Sequence, residues 1–245
     1  NMGNVAIGES TMTPTKDGGA LMALKVRQSE KGTVSPNVLM NVVDASGMVF
    51  PIRWQAPDNA TYGWVYQGGL IKIDADGYFE WSSLVEVDYA LQGTNKYANC
   101  FYFYDLVSDA SGNYYLAGNY RNKMTFRNTS NAQVTLTPHN VADWTGDSQL
   151  TVGDMFVVKL NAAGRYLWDI RTSGSVTAET ASGLAIDENN DLYVMGNIKG
   201  SGSVTLGNAT LTPSDKLNLY YAKFNTNGQV QWAKMLDGVN NAGGK

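Results

Sequence analysis

The sequence is poor in cysteine, histidine, charge and long apolar runs. Its one cysteine, Cys100, has no partner for an internal disulfide. His139 is the sole histidine, so the Cys/His set of an ordinary structural zinc site is missing too. Small secreted eukaryotic domains usually carry paired cysteines, so a single thiol fits a bacterial surface or periplasm better. Charged residues make up 16% of the chain, against the usual quarter or so. The net charge is -4, and no basic run or stripe occurs, which removes the electrostatic footprint of a nucleic-acid binder. No apolar run approaches the ~20 residues of a membrane-spanning helix. Asn1-Met2-Gly3-Asn4 opens no basic region followed by an apolar one, so no signal peptide is read there; a processed or trimmed chain is expected. Gly-x-x-x-x-Gly-Lys and Gly-x-Ser-x-Gly are also lacking, which argues against nucleotide and Ser-hydrolase chemistry.

What is present points to β-structure. With 245 residues the chain can hide roughly 70–75% of its unfolded surface. Hydrophobic residues at 43% exclude wholesale disorder, and 26 glycines among many Asn, Thr and Ser imply frequent turns.

Repeats organise the chain. A short alternating strand, a polar turn ending in Gly, and a second strand recur as Leu39–Gly47, Leu70–Trp81, Phe156–Trp168 and Tyr221–Trp232. In the last three, Trp81, Trp168 and Trp232 fall four residues after the turn glycine; in the first, Pro51 stands there. Asp or Asn opens each turn because its side chain can bond nearby backbone N–H groups. Phe156, Val158 and Leu160 alternate with Val157, Lys159 and Asn161, placing them on opposite faces of a strand. A second hairpin reads Leu106–Gly118, returns as Leu184–Gly196, and has a weaker copy over Thr15–Ala23. Gly118 and Gly196 suit places where backbones crowd. A third element, Val134–Pro138, returns over Val204–Pro213. Clear repeat units therefore cover 106–168 and 184–236, with degenerate units over 1–105, in one domain over 1–245. Four strands per unit is the spacing of a β-propeller blade. The fold expected is an all-β propeller, or propeller segment, of four-stranded antiparallel blades.

Phe156–Trp168 together with Ala185–Gly196 resembles the bacterial β-propeller repeat of the SBBP family, over about the second half of the chain. The resemblance implies an exported surface protein of a Bacteroidetes-like bacterium. It implies no fixed catalytic residues and no cofactor.

Aromatic residues outside the clean repeats are the ligand candidates: Trp54, Tyr62, Trp64, Tyr66 and Trp144. Trp and Tyr offer flat apolar area with a polar tip, on which sugar rings stack. No metal site is expected; Asp187, Asn189 and Asp191 are the densest run of calcium-type oxygen ligands, and Asp74-Ala75-Asp76 is a thinner one. Cys100 reads as a structural thiol and His139 as a surface-loop residue. Glu80, Glu86 and Asp88 are the carboxylates on or beside a strand, and they carry the rival reading, a carbohydrate-active enzyme. The leading expectation is a non-enzymatic cell-surface or secreted binding protein whose partner is a glycan or a protein. A lipid anchor and a place in an outer-membrane nutrient-uptake complex belong to that expectation. A third reading is a structural repeat segment of a larger adhesin.

Overall fold

Alternating apolar residues between polar turns give strands, because one or both faces must be buried against another layer. The computed structural model describes residues 5–29, 40–53, 64–88, 101–139, 153–174, 178–214 and 217–236. The described residues contain strands and no helix, and so no helix long and apolar enough to cross a membrane.

The strands are β1 (Val5–Pro14), β2 (Ala20–Ser29), β3 (Met40–Val43), β4 (Val49–Ile52), β5 (Trp64–Ile73) and β6 (Phe79–Val87). They continue with β7 (Phe101–Ser108), β8 (Tyr114–Tyr120), β9 (Met124–Arg127), β10 (Gln133–Leu136), β11 (Asp154–Leu160) and β12 (Tyr166–Gly174). The last are β13 (Ala178–Glu179), β14 (Gly183–Ile186), β15 (Leu192–Lys199), β16 (Val204–Leu206), β17 (Ala209–Leu211), β18 (Leu217–Phe224) and β19 (Val230–Leu236). Sheet 1 has the order β1-β2-β5-β6-β9-β10. Sheet 2 is β7-β8-β11-β12-β16-β17. Sheet 3 is β15-β18-β19, with β13 and β14 both on the free side of β15. Among the described residues β3 and β4 pair only with each other. All these strand pairs are antiparallel.

The sheets stack in chain order, and sheet 2 is the middle layer. Phe156, Val158 and Leu160 of β11 join Leu21, Leu70 and Val85 in the core between sheets 1 and 2. Met155 and Val157 join Val194, Tyr220 and Ala222 in the core between sheets 2 and 3. The alternation read in the sequence thus serves two cores at once, and every residue of β11 is buried. Phe101, Tyr102 and Phe103 are buried likewise. The far face of sheet 1, with Leu24, Val26 and Ile71, is covered by Met40, Val42 and Ile52 of the β3–β4 hairpin.

The turns follow their chemistry. Asp74, Asn161 and Asn225 each accept two backbone N–H groups, two and four residues on. At Gly118 the crowding has a measure: a Cβ there would lie 1.8 Å from the Tyr102 carbonyl oxygen, and Gly196 meets the Thr180 carbonyl at the same distance.

Two features differ from the sequence reading. First, β9–β10 lies between β8 and β11 in the chain but pairs with β6 of the preceding sheet. In the same way β16–β17 leaves sheet 3 to pair with β12 of sheet 2. Sheets 1 and 2, of four strands each, are thereby extended by a hairpin borrowed from the next unit. Second, the segment grouped as the first Trp-type hairpin is β3–β4, which stands where β9–β10 and β16–β17 stand in their units. Pro51 falls in β4, whose outer edge has no strand partner among the described residues, and a residue with no N–H to donate suits that edge.

Candidate functional site

The strand registers align the three units residue by residue. Lys72, Lys159 and Lys223 are equivalent, each paired across its hairpin with Trp81, Trp168 or Trp232. Each lysine meets a carboxylate from the first hairpin of its own sheet. Lys159 lies 3.5 Å from Asp109, and Lys223 lies 3.1 Å from Asp187 and 3.0 Å from Asp191. Aromatic rings complete the set: Lys159 Nζ sits 4.8 Å from the Tyr115 ring centroid, and Lys223 Nζ 5.0 Å from that of Tyr193. This lysine–carboxylate–aromatic group recurs at equivalent registers of sheets 2 and 3, and the turn motifs alone do not reveal it. The signal for it was the invariant spacing of lysine nine residues before Trp.

Unit 1 departs from the pattern, and the departures build a cleft. Thr15 occupies the turn position held by Asp109 and Asp187, as the matching backbone bonds to Gly19, Asn113 and Asp191 show. Its hydroxyl donates to Asp17, which supplies the carboxylate instead. Glu80 stands where Leu167 and Gln231 stand, immediately before Trp. The buried Lys72 ammonium donates to both Asp17 and Glu80 at 2.6 Å. At the second sheet junction the Thr226 carbonyl comes down to accept from both Lys159 and Trp168, at 3.3 Å each. At the first junction that turn position is Ala162, and a cavity of about 650 Å³ stands open. It is lined by Lys16, Asp17, Lys72, Glu80, Trp81 and Tyr114, with Ser111, Gly112, Ala162 and Ala163 from sheet 2 completing the wall.

The electrostatics are settled within the cleft. The hydrogen bond from Lys72, then that from Thr15, hold the Asp17 carboxyl down at about 2, against a small opposing effect of burial. Burial works to lower the Lys72 pKa, but Asp17 and Glu80 overcome it and the group is shifted upward. Asp17 and Lys72 are therefore a fixed ion pair at neutral pH, and Asp17 offers acceptor lone pairs but no transferable proton. Trp81 is half-buried, with its ring against Gly164.

The sequence candidates fall elsewhere. Trp54, Tyr62, Trp144 and Cys100 lie outside the described residues. Trp64 begins β5. Tyr66 is half-buried, packs on the core between sheets 1 and 2, and has Lys25 Nζ 4.9 Å from its ring centroid. Asp187 and Asp191 are engaged by Lys223, and Asp187 Oδ1 accepts the N–H groups of Asn189 and Asp191. Asp74 likewise accepts the N–H groups of Asp76 and Tyr78. Among the described residues no group of three or more His, Cys, Asp or Glu is placed to hold a metal ion. Glu80 and Glu86 lie six residues apart on β6, about 20 Å at strand rise, and Glu86 faces Arg127 at 3.4 Å. His139 is exposed, and its backbone N–H donates to the buried Asp154.

One further carboxyl is unusual. Glu179, on β13 between sheets 2 and 3, is pushed up to about 8, by burial first and by Asp154 second. Both groups are almost fully enclosed, at 2% exposure each. They belong to the packing of the junction between sheets 2 and 3.

No protein-family model matches the chain, and no curated protein matches it.

Proposed function

We propose that the chain is a non-catalytic binding module of the β-propeller type, its stacked sheets serving as successive blades, and that the cleft at Trp81 takes a glycan. The carrying observation is one juxtaposition: the Trp81 ring beside two carboxylates held by Lys72, in a cleft of about 650 Å³. A sugar ring presents an apolar C–H face and a rim of hydroxyls. Trp81 suits the face, and Asp17 and Glu80 accept from the rim, with Lys16 on the cleft wall as a donor. The units repeat where ligands do not require it and depart where the cleft is, which supports a binding role for the departures.

A glycosidase needs two carboxyls roughly 5–9.5 Å apart with one protonated. Asp17 and Glu80 are within that span of each other, but both are turned onto the one Lys72 ammonium between them, at 2.6 Å each, and Glu80 and Glu86 are too far apart on β6, which favours binding over hydrolysis. The setting we propose with it is extracytoplasmic, at a bacterial surface, on the strength of low charge, many small polar residues and a single cysteine.

The test is titration of tryptophan fluorescence with a panel of soluble polysaccharides, following reducing-sugar release in the same wells. The expected result is a saturable shift without release. It should be lost in Trp81→Ala and weakened at least about tenfold in Glu80→Gln. A panel without any shift, or a shift that survives Trp81→Ala, removes the glycan site. Sugar release that tracks the protein overturns the non-catalytic reading.

A further inference from the structure

Aligned by register, the three units have one buried join between sheets 1 and 2 and another between sheets 2 and 3. Each join has two halves: the face that a sheet turns to its successor, and the face its successor turns back. Leu70, Val157 and Tyr221 are equivalent on the forward face. Leu70 and Val157 are 0% exposed, whereas Tyr221 on sheet 3 is 38% exposed. Around Tyr221 lie Met195, Leu217, Trp232 and Leu236, at 46%, 58%, 36% and 54%. Strand pairing places Met195 directly beside Tyr221. Trp81 and Trp168 are each covered by the following sheet's turn glycine, Gly164 or Gly228, while Trp232 meets only Tyr193 and Tyr221 of its own sheet among the described contacts.

The backward face of sheet 1, covered over Leu24, Val26 and Ile71 by the β3–β4 hairpin, is open at Met12. Met12 corresponds to Leu106, since each pairs with an equivalent residue of the next strand, Met22 or Leu116. Leu106 is 2% exposed in its join, and Met12 is 62% exposed. The crossing hairpin tells the same story. β9 pairs with β6, and β16 with β12, while β3, which holds the equivalent place, is paired among the described residues only to β4.

We propose that these two ends are halves of a third join, closed by a second copy of this chain: the outer face of sheet 3 of one copy receives the Met12 face and β3 of the other. The occupant follows from continuity. The chain makes this join internally at both of its junctions, with the same crossing hairpin and the same covering of Trp and of position 70/157, so the surface complementary to sheet 3 is the surface this chain carries at its other end. The register of the internal joins sets Val42, equivalent to Phe126 and Leu206, opposite Leu236, equivalent to Val85 and Thr172. A head-to-tail contact closes when its rotation returns on itself, and with three stacked sheets among the described residues of each copy a closed pair brings six together, within the range of propeller rings. Closure rests on the blade reading above; the join rests on register and exposure alone and is independent of the cleft.

The experiment is sedimentation equilibrium of the 245-residue chain across the micromolar range, with variants of each end. The parent should be a discrete dimer. Tyr221→Glu with Leu217→Glu on the tail, or Met12→Glu on the head, should each raise the dimer dissociation constant at least about tenfold, because each buries an unpaired charge. All three positions are well exposed in the single chain, so folding is preserved, and circular dichroism checks it. Mixing the tail variant with the head variant leaves one intact join and should restore a heterodimer that neither forms alone. A monomer at every concentration overturns the proposal and leaves the face to a different partner. A dimer that ignores both sets of substitutions overturns it too.

Discussion

The turn glycine of one sheet lies against the tryptophan of the sheet before it: a Cβ on Gly164 would come within 2.5 Å of the Trp81 ring. Gly164 also has φ of 69°, in the left-handed region. Gly164→Ala therefore adds backbone strain to a steric clash and should cost about 2–4 kcal/mol. Gly112 shares the positive φ but meets no atom within 4 Å, so Gly112→Ala should cost only about 1–2 kcal/mol. Urea unfolding of the two variants checks the difference.

Asp109 and Lys159 form a nearly dry ion pair at 3.5 Å, with side chains 2% and 8% exposed. Asp109→Ala leaves the ammonium with the Thr226 carbonyl and two rings, and should cost about 3–5 kcal/mol. Lys159→Met should cost less, about 1–2 kcal/mol, since Asp109 keeps its bonds from Ser111, Asn113 and Tyr115. A double-mutant cycle on denaturant midpoints should give a coupling of about 1–3 kcal/mol.

Glu179 binds a proton more tightly in the folded state, at about 8, than in the unfolded chain near ~4.3. Its contribution is thus favourable at low pH and is lost as pH rises from about 4.3 toward 8. Burial and Asp154 set the shift, with the Thr172 hydroxyl opposing it. Below about pH 4 the sign reverses, because the Asp17 carboxyl, held at about 2, and the depressed carboxyls of Asp44, Asp109 and Asp187 then take up protons. Thermal melts should fall between pH 5 and 8 in the parent, and Glu179→Gln should flatten that limb while leaving the acid limb in place. A parent melting temperature that rises across the same window would contradict the assignment.

Gly196→Ala would drive a Cβ to 1.8 Å from the Thr180 carbonyl, a backbone atom that cannot swing away. The loss should exceed about 3 kcal/mol and open β13–β15, read as faster amide exchange at Thr180 and Asn197.

Local chemistry was legible in the sequence because it is local. The turns at Asp74, Asn161 and Asn225, the two-faced β11 and the crowded Gly118 and Gly196 depend on residues a few positions apart. Partners in space are not written that way. Nothing near Met124 says that its strand pairs with Val87 and not with β8, so the crossing hairpins were missed. An Asp-x-x-Gly turn is common to several hairpins, and Leu39–Gly47 was grouped with the wrong kind; Pro51 in place of Trp was the sign of it. At the cleft, the recurrence of Trp81 at the Trp168 and Trp232 position points to packing, which holds on one side of its ring. Its other side opens only because Ala162 replaces the Thr226 type of turn and Asp17 moves in for a cap residue, departures that gain meaning once the units are aligned in space.

The crossing hairpins also fix where this chain can be cut. A unit as it appears to the eye, one sheet, is not a unit as it is encoded, since its two outermost strands are spelled within the neighbour. Deleting or duplicating the run that encodes one sheet's four strands carries off a hairpin belonging to the sheet before, and leaves a raw strand edge there. Gain or loss of repeats by recombination is therefore viable only in phase with the sewing, and every such event leaves one unsatisfied hairpin at the front of the array and one bare edge at its back.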